Sequence, residues 1–453
     1  MGKLFGTDGI RGVVNQNLDG KLAFRMGQAA AISLAEGKDR KPLVVIGMDT
    51  RISSDMLECA LIAGLTTSGT DVLRMGVIST PAVAYMTVQQ KADAGIVISA
   101  SHNPFEHNGI KMFSNEGFKL SDALENRIED LILQEGELPT KTHGEIGQVR
   151  DGRQYIDTYL DHLAATVGTL SGLRVAVDCA NGASSVTARR LFGRYPLDVT
   201  YINDQPNGVN INHQCGSTHL EGLCETVRNG GFDVGIAFDG DADRCLAVDE
   251  KGNPVDGDRI MSICATSLRE KGLLRNDGFV ATVMSNLGLH KFAAAHGLRL
   301  LCANVGDKNV LELMQKEDMR LGGEQSGHII FLDHMPTGDG QLAALQFLQI
   351  LCETGKPVSE LAESVTQYPQ VLINVPGPHA NDQKAALLAN EKLQAVIDEE
   401  EKRLAGDGRI LVRASGTEAL IRVMVEAGTK ELADSVAGTV AKAVENLQKN
   451  GII

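Results

Sequence analysis

Three stretches of this chain share one order of elements, and that order restricts the fold more than any other feature. Each begins with an apolar strand, turns through Asp, Asn, Gly or Ser, runs into a helical stretch, and returns through a Gly- or Pro-containing turn to a second strand. The first is LVVIGMDTRISSDMLECALIAGLTTSGTDVLRMGVI from Leu43. The second is LRVAVDCANGASSVTARRLFGRYPLDVTYIN from Leu173, and the third is FVATVMSNLGLHKFAAAHGLRLLCANVG from Phe279. Strand–helix–strand units of this kind build mostly parallel sheets covered by helices. Their sequence identity to one another is weak, so the likeness is one of pattern.

A helical stretch, RQYIDTYLDHLAATV from Arg153, links the first two of these units. Near Tyr368-Pro369 the helical LAESVTQ gives way to a strand, VLINV. Beyond it come a strongly charged helix over about 381–405, two strands around a polar loop in RILVRASGTEALIRVMVEA, and a last amphipathic helix, ELADSVAGTVAKAVENLQ. The expected fold class is α/β: three similar mixed α/β domains plus a smaller α+β C-terminal domain, divided at 1–155, 156–254, 255–368 and 369–453. At 453 residues the chain is too long for a single core.

The formal net charge of −15 argues against a general nucleic-acid binder. It leaves room for anionic small molecules, which a few local Arg and Lys residues can hold. No run approaches the ~20 apolar residues of a membrane span. The start MGKLFGTDGIRG lacks a signal-peptide core, so a cytoplasmic protein without a membrane partner is expected. The eight cysteines form no C-x-x-C pair and read as reduced, buried small hydrophobes.

GIVISASHNPFEHNGIKMF, residues 95–113, carries the first chemistry. Gly95 to Ala100 reads as a short buried strand that stops at Ser101-His102-Asn103-Pro104, where Pro104 prevents simple continuation. A hydroxyl delivered at a strand end is held by a rigid element yet open to a cleft. Ser101 is therefore a candidate nucleophile or phosphate carrier.

AFDGDADRCLAVDEKG places Asp239, Asp241 and Asp243 at alternate positions. On an extended backbone they point the same way, about 7 Å between neighbours. At an effective dielectric near 20 each neighbouring pair repels by roughly 2 kcal/mol. A divalent cation offsets that repulsion, and oxygen-only ligands suit Mg²⁺, with open positions for a phosphate. The spacing also matches the start of an EF-hand, with Glu250 at its last position. Arg244 stands where that loop needs Gly, however, and CLAVDEKG reads as strand and turn.

RASGTEALIR, residues 413–422, offers the hydroxyls of Ser415 and Thr417, the backbone around Gly416, and Arg413 and Arg422 at either end, the parts of a phosphate cradle. GGEQSGHII puts Glu324, Ser326 and His328 at alternate positions after a Gly-Gly turn, a spacing suited to adjacent sugar hydroxyl or amino groups. GTDGIRG, residues 6–12, is Gly-rich with Arg11. Gly64 and Gly69 have P-loop spacing, but Thr70 stands at the Lys position.

Together these motifs resemble the α-D-phosphohexomutase superfamily. GTDGIRG, SASHNP, DGDADR, GGEQSGH and RASGTE occur in that family's order, and the match covers essentially the whole chain. FGTDGIRG and the Gln of GGEQSGH are closest to its amino-sugar members. The resemblance implies four domains around a central cleft, with Ser101 carried as phosphoserine and Asp239, Asp241 and Asp243 holding one Mg²⁺ per subunit together with an oxygen of that phosphate. It further implies that Glu324 and Ser326 read the sugar, while Arg413, Ser415, Gly416, Thr417 and Arg422 grip its non-reacting phosphate. Arg11, Lys111, Arg244 and His328 line the reaction centre, with Lys111 and His328 the candidates for proton transfer. A homodimer through the first domain is also expected.

The implied reaction converts glucosamine 6-phosphate to glucosamine 1-phosphate by two phosphoryl exchanges with Ser101, through a 1,6-bisphosphate that serves as intermediate and activator. Alternatives are preference for glucose or mannose phosphates, a metal-dependent phosphatase, and a non-catalytic sensor of sugar phosphates. In the last loop Ala419 stands where the family commonly has Pro, and Ala414 where Pro or Lys is frequent. A missing Pro loosens a loop through its unfolded-state entropy by up to ~1 kcal/mol, which implies weaker preorganisation there.

Overall fold

The same four-strand core recurs three times along the chain, always in the order second–first–third–fourth. In the computed structural model, which describes all residues except 1–3, 7, 416–418 and 450–453, the first core has Leu43–Met48 between Asp71–Val77 and Ala94–Ile98, parallel to both. His107–Ser114 then joins Ala94–Ile98 antiparallel. In the second, Arg174–Asp178 lies between Asp198–Ile202 and Val234–Phe238 in parallel, and Cys245–Asp249 pairs antiparallel with Val234–Phe238. The third repeats this with Gly278–Thr282 between Arg299–Ala303 and Leu321–Gly323, and Ile329–Phe331 antiparallel to Leu321–Gly323.

These are the mixed α/β sheets that the strand–helix–strand order predicts. Helices cover the sheets, so the middle strands carry continuous apolar runs rather than alternation. Ala94–Ile98 and Val234–Phe238 are buried along their whole length. The first sheet gains Ile10–Val13 at one edge and Val149–Asp151 at the other, and the second gains Pro254–Val255. The linking helix is Ile156–Ala164, preceded by one 3₁₀ turn at Arg153–Tyr155.

By contact density the chain forms two bodies, residues 1–284 with 298–364, and residues 285–297 with 365–453. The second contains a three-stranded antiparallel sheet, with Leu420–Ala427 between Gln370–Pro376 and Gly408–Ala414. Helix Lys430–Lys449 packs on it. The single charged helix expected over 381–405 is two, Asn381–Leu388 and Glu391–Leu404. Asn390 accepts from Lys392 N at 3.0 Å and so starts a new helix. LAESVTQ is helical only at its beginning, within Val358–Ala362.

Helix Leu287–Ala295 belongs to the C-terminal body, although the sequence pattern assigns it to the third α/β unit. The buried Glu426 explains this. It accepts from Leu287 N at 2.9 Å and Asn286 Nδ2 at 3.2 Å, and pairs with Arg409 at 2.5 Å. Of the cysteines, Cys179, Cys215, Cys245 and Cys264 are buried as expected, but Cys59 is exposed and Cys224, Cys302 and Cys352 are half-buried. No helix among the described residues is long and apolar enough to cross a membrane.

Gly64 turns out to serve packing rather than phosphate. Helices Gly20–Ala35 and Ser54–Thr67 cross so closely that a Cβ at Gly64 would lie 2.0 Å from Phe24 O, and one at Gly27 would lie 2.3 Å from Leu61 O. Backbone cannot yield as a flexible side chain can. Gly64→Ala should therefore cost about 1–3 kcal/mol by overpacking, lowering the first thermal unfolding midpoint. An unchanged midpoint would show that the crossing is not the tight contact described.

Candidate active site

In all three α/β sheets the turn from the third strand into the antiparallel fourth carries the candidate functional residues. These turns follow Ala94–Ile98, Val234–Phe238 and Leu321–Gly323, and all belong to the first body.

The first turn holds Ser101 in a left-handed backbone conformation, φ 50°, a strained state for a residue with a Cβ. Its carbonyl is fixed from two sides. Arg51 Nη2 donates to it at 2.8 Å and Asn212 Nδ2, from the second sheet's domain, at 2.9 Å. Arg51 also donates to Asn103 O and Pro104 O at 2.9 and 2.8 Å, and its charge is balanced by the fully buried Asp49 at 2.9 Å. Ser99 Oγ accepts from Ser101 N at 2.9 Å. The clamped backbone aims the buried Ser101 Oγ at Asp239 Oδ2, to which it donates at 2.6 Å.

The aspartates do not lie on extended backbone. The chain turns between Phe238 and Cys245, with Ala242 at φ 56°, and this draws one carboxylate oxygen from each of Asp239, Asp241 and Asp243 to within 4.8 Å of one another. Gly240 permits the approach to the serine turn, since a Cβ there would meet Ser101 O at 2.6 Å. Asp241 Oδ2 accepts from Thr80 Oγ1 at 2.6 Å and from Lys111 Nζ at 2.8 Å. Asp241 Oδ1 and Asp243 Oδ1 are buried with no hydrogen-bond partner. Two buried oxygens without donors, within a cluster of three converging carboxylates, fit a hard divalent cation. Burial, and then the like charges of Asp243 and Asp241, hold the Asp239 carboxyl well above its ordinary pKa. Glu250 instead accepts from Ser359 N at 3.1 Å, which removes it from any EF-hand ligand set.

Cations converge on the same place. Lys111, buried in the strand His107–Ser114, faces Asp241, Asp8 at 3.1 Å and Asp243 at 3.9 Å. Burial opposes its charge, but these carboxylates outweigh burial and raise its pKa, so it is an ammonium. Arg11 pairs with Asp8. Arg244 donates its backbone N–H to Asp239 Oδ1 at 3.2 Å, while its Nε, 3.9 Å from Asp243, is buried without a hydrogen-bond partner. His102 lies 3.3 Å from Ser101 Oγ, and burial, Arg244 and Arg11 push its pKa down to about 4.

His328 faces Asp243 through Nδ1 at 3.6 Å and accepts from Gly338 N through Nε2 at 3.2 Å. Burial disfavours its charge, yet Asp243 raises its pKa to about 9, whereas the Gly338 contact needs a lone pair on Nε2. These two indications conflict. The backbone geometry is the firmer, and assigns a neutral ring with its proton on Nδ1. Asp243 is in turn held below its ordinary pKa, because His328 and Lys111 outweigh the effect of its burial.

In the third turn Gly322 and Gly323 lie in the strand itself, not in a turn as expected. A Cβ at Gly322 would meet Met314 Sδ at 2.5 Å and one at Gly323 would meet His328 O at 2.5 Å. The bend comes at Gly327, φ 93°. Glu324 and Ser326 are half-buried, and Glu324 Oε1 accepts from Gly306 N at 3.0 Å.

Arg413 and Arg422 stand directly opposite on adjacent antiparallel strands. Like charges in that position repel, and burial together with Arg422 lowers the Arg413 pKa. Arg413 Nε is buried without a hydrogen-bond partner. Ser415 N donates to Leu420 O at 2.9 Å, closing the loop, and Lys384 Nζ donates to Ser415 O at 2.8 Å. Gly416 and Thr417 lie outside the described residues.

Sequence reasoning missed Arg51, Thr80, Asn212 and Asp8. Asp8 sits inside GTDGIRG and was within reach, as a carboxylate three residues before Arg11. The other three act from distant elements, and no local pattern marks them.

Four family models match successive stretches: phosphoglucomutase/phosphomannomutase alpha/beta/alpha domain I over 2–138, domain II over 154–252, domain III over 256–368, and the C-terminal domain over 372–443. A phosphoglucosamine mutase from Limosilactobacillus reuteri is 51% identical over 447 residues, covering 97% of this chain and 98% of its own. Among solved structures, a phosphoglucomutase/phosphomannomutase family protein from Burkholderia thailandensis superposes with a TM-score of 0.80 at 22% identity, over 98% of this chain and 97% of that one. An N-acetylphosphoglucosamine mutase from Aspergillus fumigatus, solved with GlcNAc-6P and magnesium, gives 0.66 at 21% identity, over 98% and 95%. Both structures share the fold.

The Arg51 clamp is open to a direct test. Arg51→Met leaves Asp49 buried and uncompensated, and breaking such a pair costs about 3–5 kcal/mol. Urea unfolding should show that loss, and Asp49→Leu added to Arg51→Met should recover much of it. A single variant as stable as the parent would mean that Arg51 does not carry the loop.

Proposed function

The chain belongs to the phosphoglucomutase/phosphomannomutase family of the α-D-phosphohexomutase superfamily, and we propose that it acts as a phosphoglucosamine mutase, interconverting glucosamine 6-phosphate and glucosamine 1-phosphate. The observation that carries this reading is the contact of Ser101 Oγ with Asp239, 2.6 Å, at the edge of a cluster of carboxylates suited to a cation. The amino-sugar preference draws on the 51% identity to phosphoglucosamine mutase and on Gln325 within GGEQSGH.

In the mechanism we infer, Ser101 enters the cycle phosphorylated. The C1 hydroxyl oxygen of glucosamine 6-phosphate attacks the phosphorus, and the P–Oγ bond breaks. The product is glucosamine 1,6-bisphosphate and a serine hydroxyl that hydrogen-bonds Asp239 as observed. The bisphosphate then turns over, Ser101 Oγ attacks the 6-phosphate, and glucosamine 1-phosphate leaves. Lys111, held as an ammonium by Asp241 and Asp8, is in the right state to give a proton to Oγ as the bond to phosphorus breaks and to take back the one the C1 hydroxyl releases; in the second transfer it likewise takes the Oγ proton and gives one to the departing O6. His328, whose Nε2 lone pair is engaged by Gly338 N–H, orients Asp243 instead of acting as a base. Arg11 and Arg244 supply further positive charge around the transferring group.

Asp239, Asp241 and Asp243 would hold Mg²⁺, which supplies electrostatic stabilisation of charge on the phosphoryl oxygens. Glu324 and Ser326 read the sugar, and Arg413, Ser415 and Arg422, with Gly416 and Thr417, receive the phosphate that is not reacting. A loop of this kind grips a phosphate without reading the carbon that bears it, which suits an intermediate bound in two orientations. The same reading divides the chain into four domains at 1–155, 156–254, 255–368 and 369–453; it is supported by one sheet lying mainly within each, although Val255 pairs in the second sheet and helix Leu287–Ala295 belongs to the C-terminal body. A cytoplasmic location belongs to the same reading.

Two outcomes are expected. Intact mass of active enzyme should show about 80 Da added at Ser101, and Ser101→Ala should abolish isomerisation; full activity in that variant would defeat the phosphoserine mechanism. Turnover compared on glucosamine, glucose and mannose 6-phosphates should favour the amino sugar, and equal efficiency on all three would sink that preference.

A further inference from the structure

Within the first body an unbroken line of polar contacts runs from the turn assigned to the sugar to the carboxylates assigned to the cation. Glu324 Oε1 accepts from Gly306 N at 3.0 Å. The next residue, Asp307, opens the helix Asp307–Lys316, and its Oδ1 receives Lys119 Nζ at 2.7 Å. The same Lys119 Nζ reaches Asp8 Oδ1 at 2.8 Å, and the other oxygen of Asp8 pairs with Arg11 and with Lys111, 3.1 Å away. Lys111 then donates to Asp241 at 2.8 Å.

We propose that Lys119 is a positioning residue for phosphoryl transfer: by bridging Asp8 and Asp307 it holds the cations of the reaction centre in register with the turn that carries Glu324. This rests on the mutase reading above. Three features support it. Lys119 is the one residue in this line that joins the strand–loop segment after Ser101 to the third α/β unit, and it does so with two carboxylates at once. Its side chain is only 18% exposed, so the bridge is not a loose surface pair of the kind that contributes little. A second link, Lys308 to Asp122, ties the same two segments beside it.

Asp8 is the pivot. Without Lys119 it keeps only Arg11 and Lys111 among the described residues, and neither ties its position to Asp307. The two groups that face the transferring phosphoryl become free to shift relative to Glu324. A displacement of about 1 Å at a reacting centre can cost roughly a hundredfold in rate while leaving ground-state binding nearly intact. The defect should therefore fall on kcat more than on KM.

The bridge borders a cavity of about 420 Å³ lined also by Phe113, Phe118 and Leu311, so a methionine at 119 has room. We expect Lys119→Met to lower kcat at least about tenfold with KM for glucosamine 6-phosphate within about threefold of wild type. Lys119→Arg, whose fork can still span both carboxylates, should restore most of that loss. Asp307→Asn should act in the same direction, and the double variant Lys119→Met/Asp307→Asn should be no slower than Lys119→Met, as members of one chain are non-additive. A Lys119→Met enzyme with kcat within twofold of wild type, multiplicative effects in the double variant, or no rescue by Arg would each overturn the proposal. If Lys119→Met fails to fold, Asp307→Asn decides alone: wild-type kcat overturns, a selective loss of kcat supports. Loading of Ser101 from glucose 1,6-bisphosphate, followed by mass, separates the two readings. Wild-type protein that loads but isomerises no hexosamine phosphate fails the mutase assignment, whereas slowed loading in the Lys119 variant still upholds the bridge.

Discussion

Three carboxylates drawn within 4.8 Å of one another inside a protein repel strongly, and the first body is organised around relieving that repulsion. The partners come from three different α/β units. The first contributes Lys111, Ser101 and Thr80, the second contributes the aspartates themselves with Arg244, and the third contributes His328. The second unit sets only Arg244 against its own three carboxylates, and the rest of the compensation comes from the other two. The units must therefore meet at one place, and glycines mark the closest approaches. A Cβ at Gly340 would strike Arg244 O at 2.3 Å, as one at Gly240 would strike Ser101 O. Even so the balance is incomplete, since Asp241 and Asp243 each keep a buried oxygen without a donor. An incomplete shell around hard oxygens is what a bound cation and an incoming phosphate would finish.

The serine turn is costly for the same reason. A positive φ at a non-glycine residue costs on the order of 1–3 kcal/mol, and Ser101 adopts one in the conformation that brings its hydroxyl to Asp239. The strain persists because the surroundings over-determine it. Arg51 makes three hydrogen bonds to the carbonyls of the turn, Asn212 makes two, and Asp49 keeps the buried guanidinium neutralised. Rigidity at this point has a chemical use. On the proposed mutase reading, a group that gives and takes back a phosphoryl from a substrate in two orientations gains from being the one fixed element in the exchange.

How much of this the sequence disclosed depended on whether the signal was local. The strand–helix–strand units were legible because hydrophobic period and turn residues are local properties. Ser101 and the aspartates were legible because polar residues at a strand end stand out against an apolar run. What escaped was set by tertiary contact. Helix Leu287–Ala295 reads as part of the third α/β unit, yet Glu426 and Arg409, more than a hundred residues on, assign it to the C-terminal body. The aspartates were expected on extended backbone, but a positive φ at Ala242 cannot be inferred from an alanine. The Gly-Gly pair at 322 and 323 looked like a turn and is a strand that Met314 and His328 press too closely for side chains.

The three chemical turns occupy one topological position, the step from third to fourth strand, and this accounts for why repetition is plain in the structure and faint in the sequence. Sheets need only apolar residues of the right period, so their sequences drift freely. The turns cannot resemble one another, because the chemistry differs at each. The first presents a hydroxyl, the second carboxylates, and the third the carboxylate of Glu324 beside the hydroxyl of Ser326. A shared backbone position with divergent side chains is what remains when one scaffold is used three times around a common point. Lys119 fits the same logic. Units that place complementary groups on separate turns need something to fix those turns against each other, and an ammonium between Asp8 and Asp307 does so at the seam where the first and third meet.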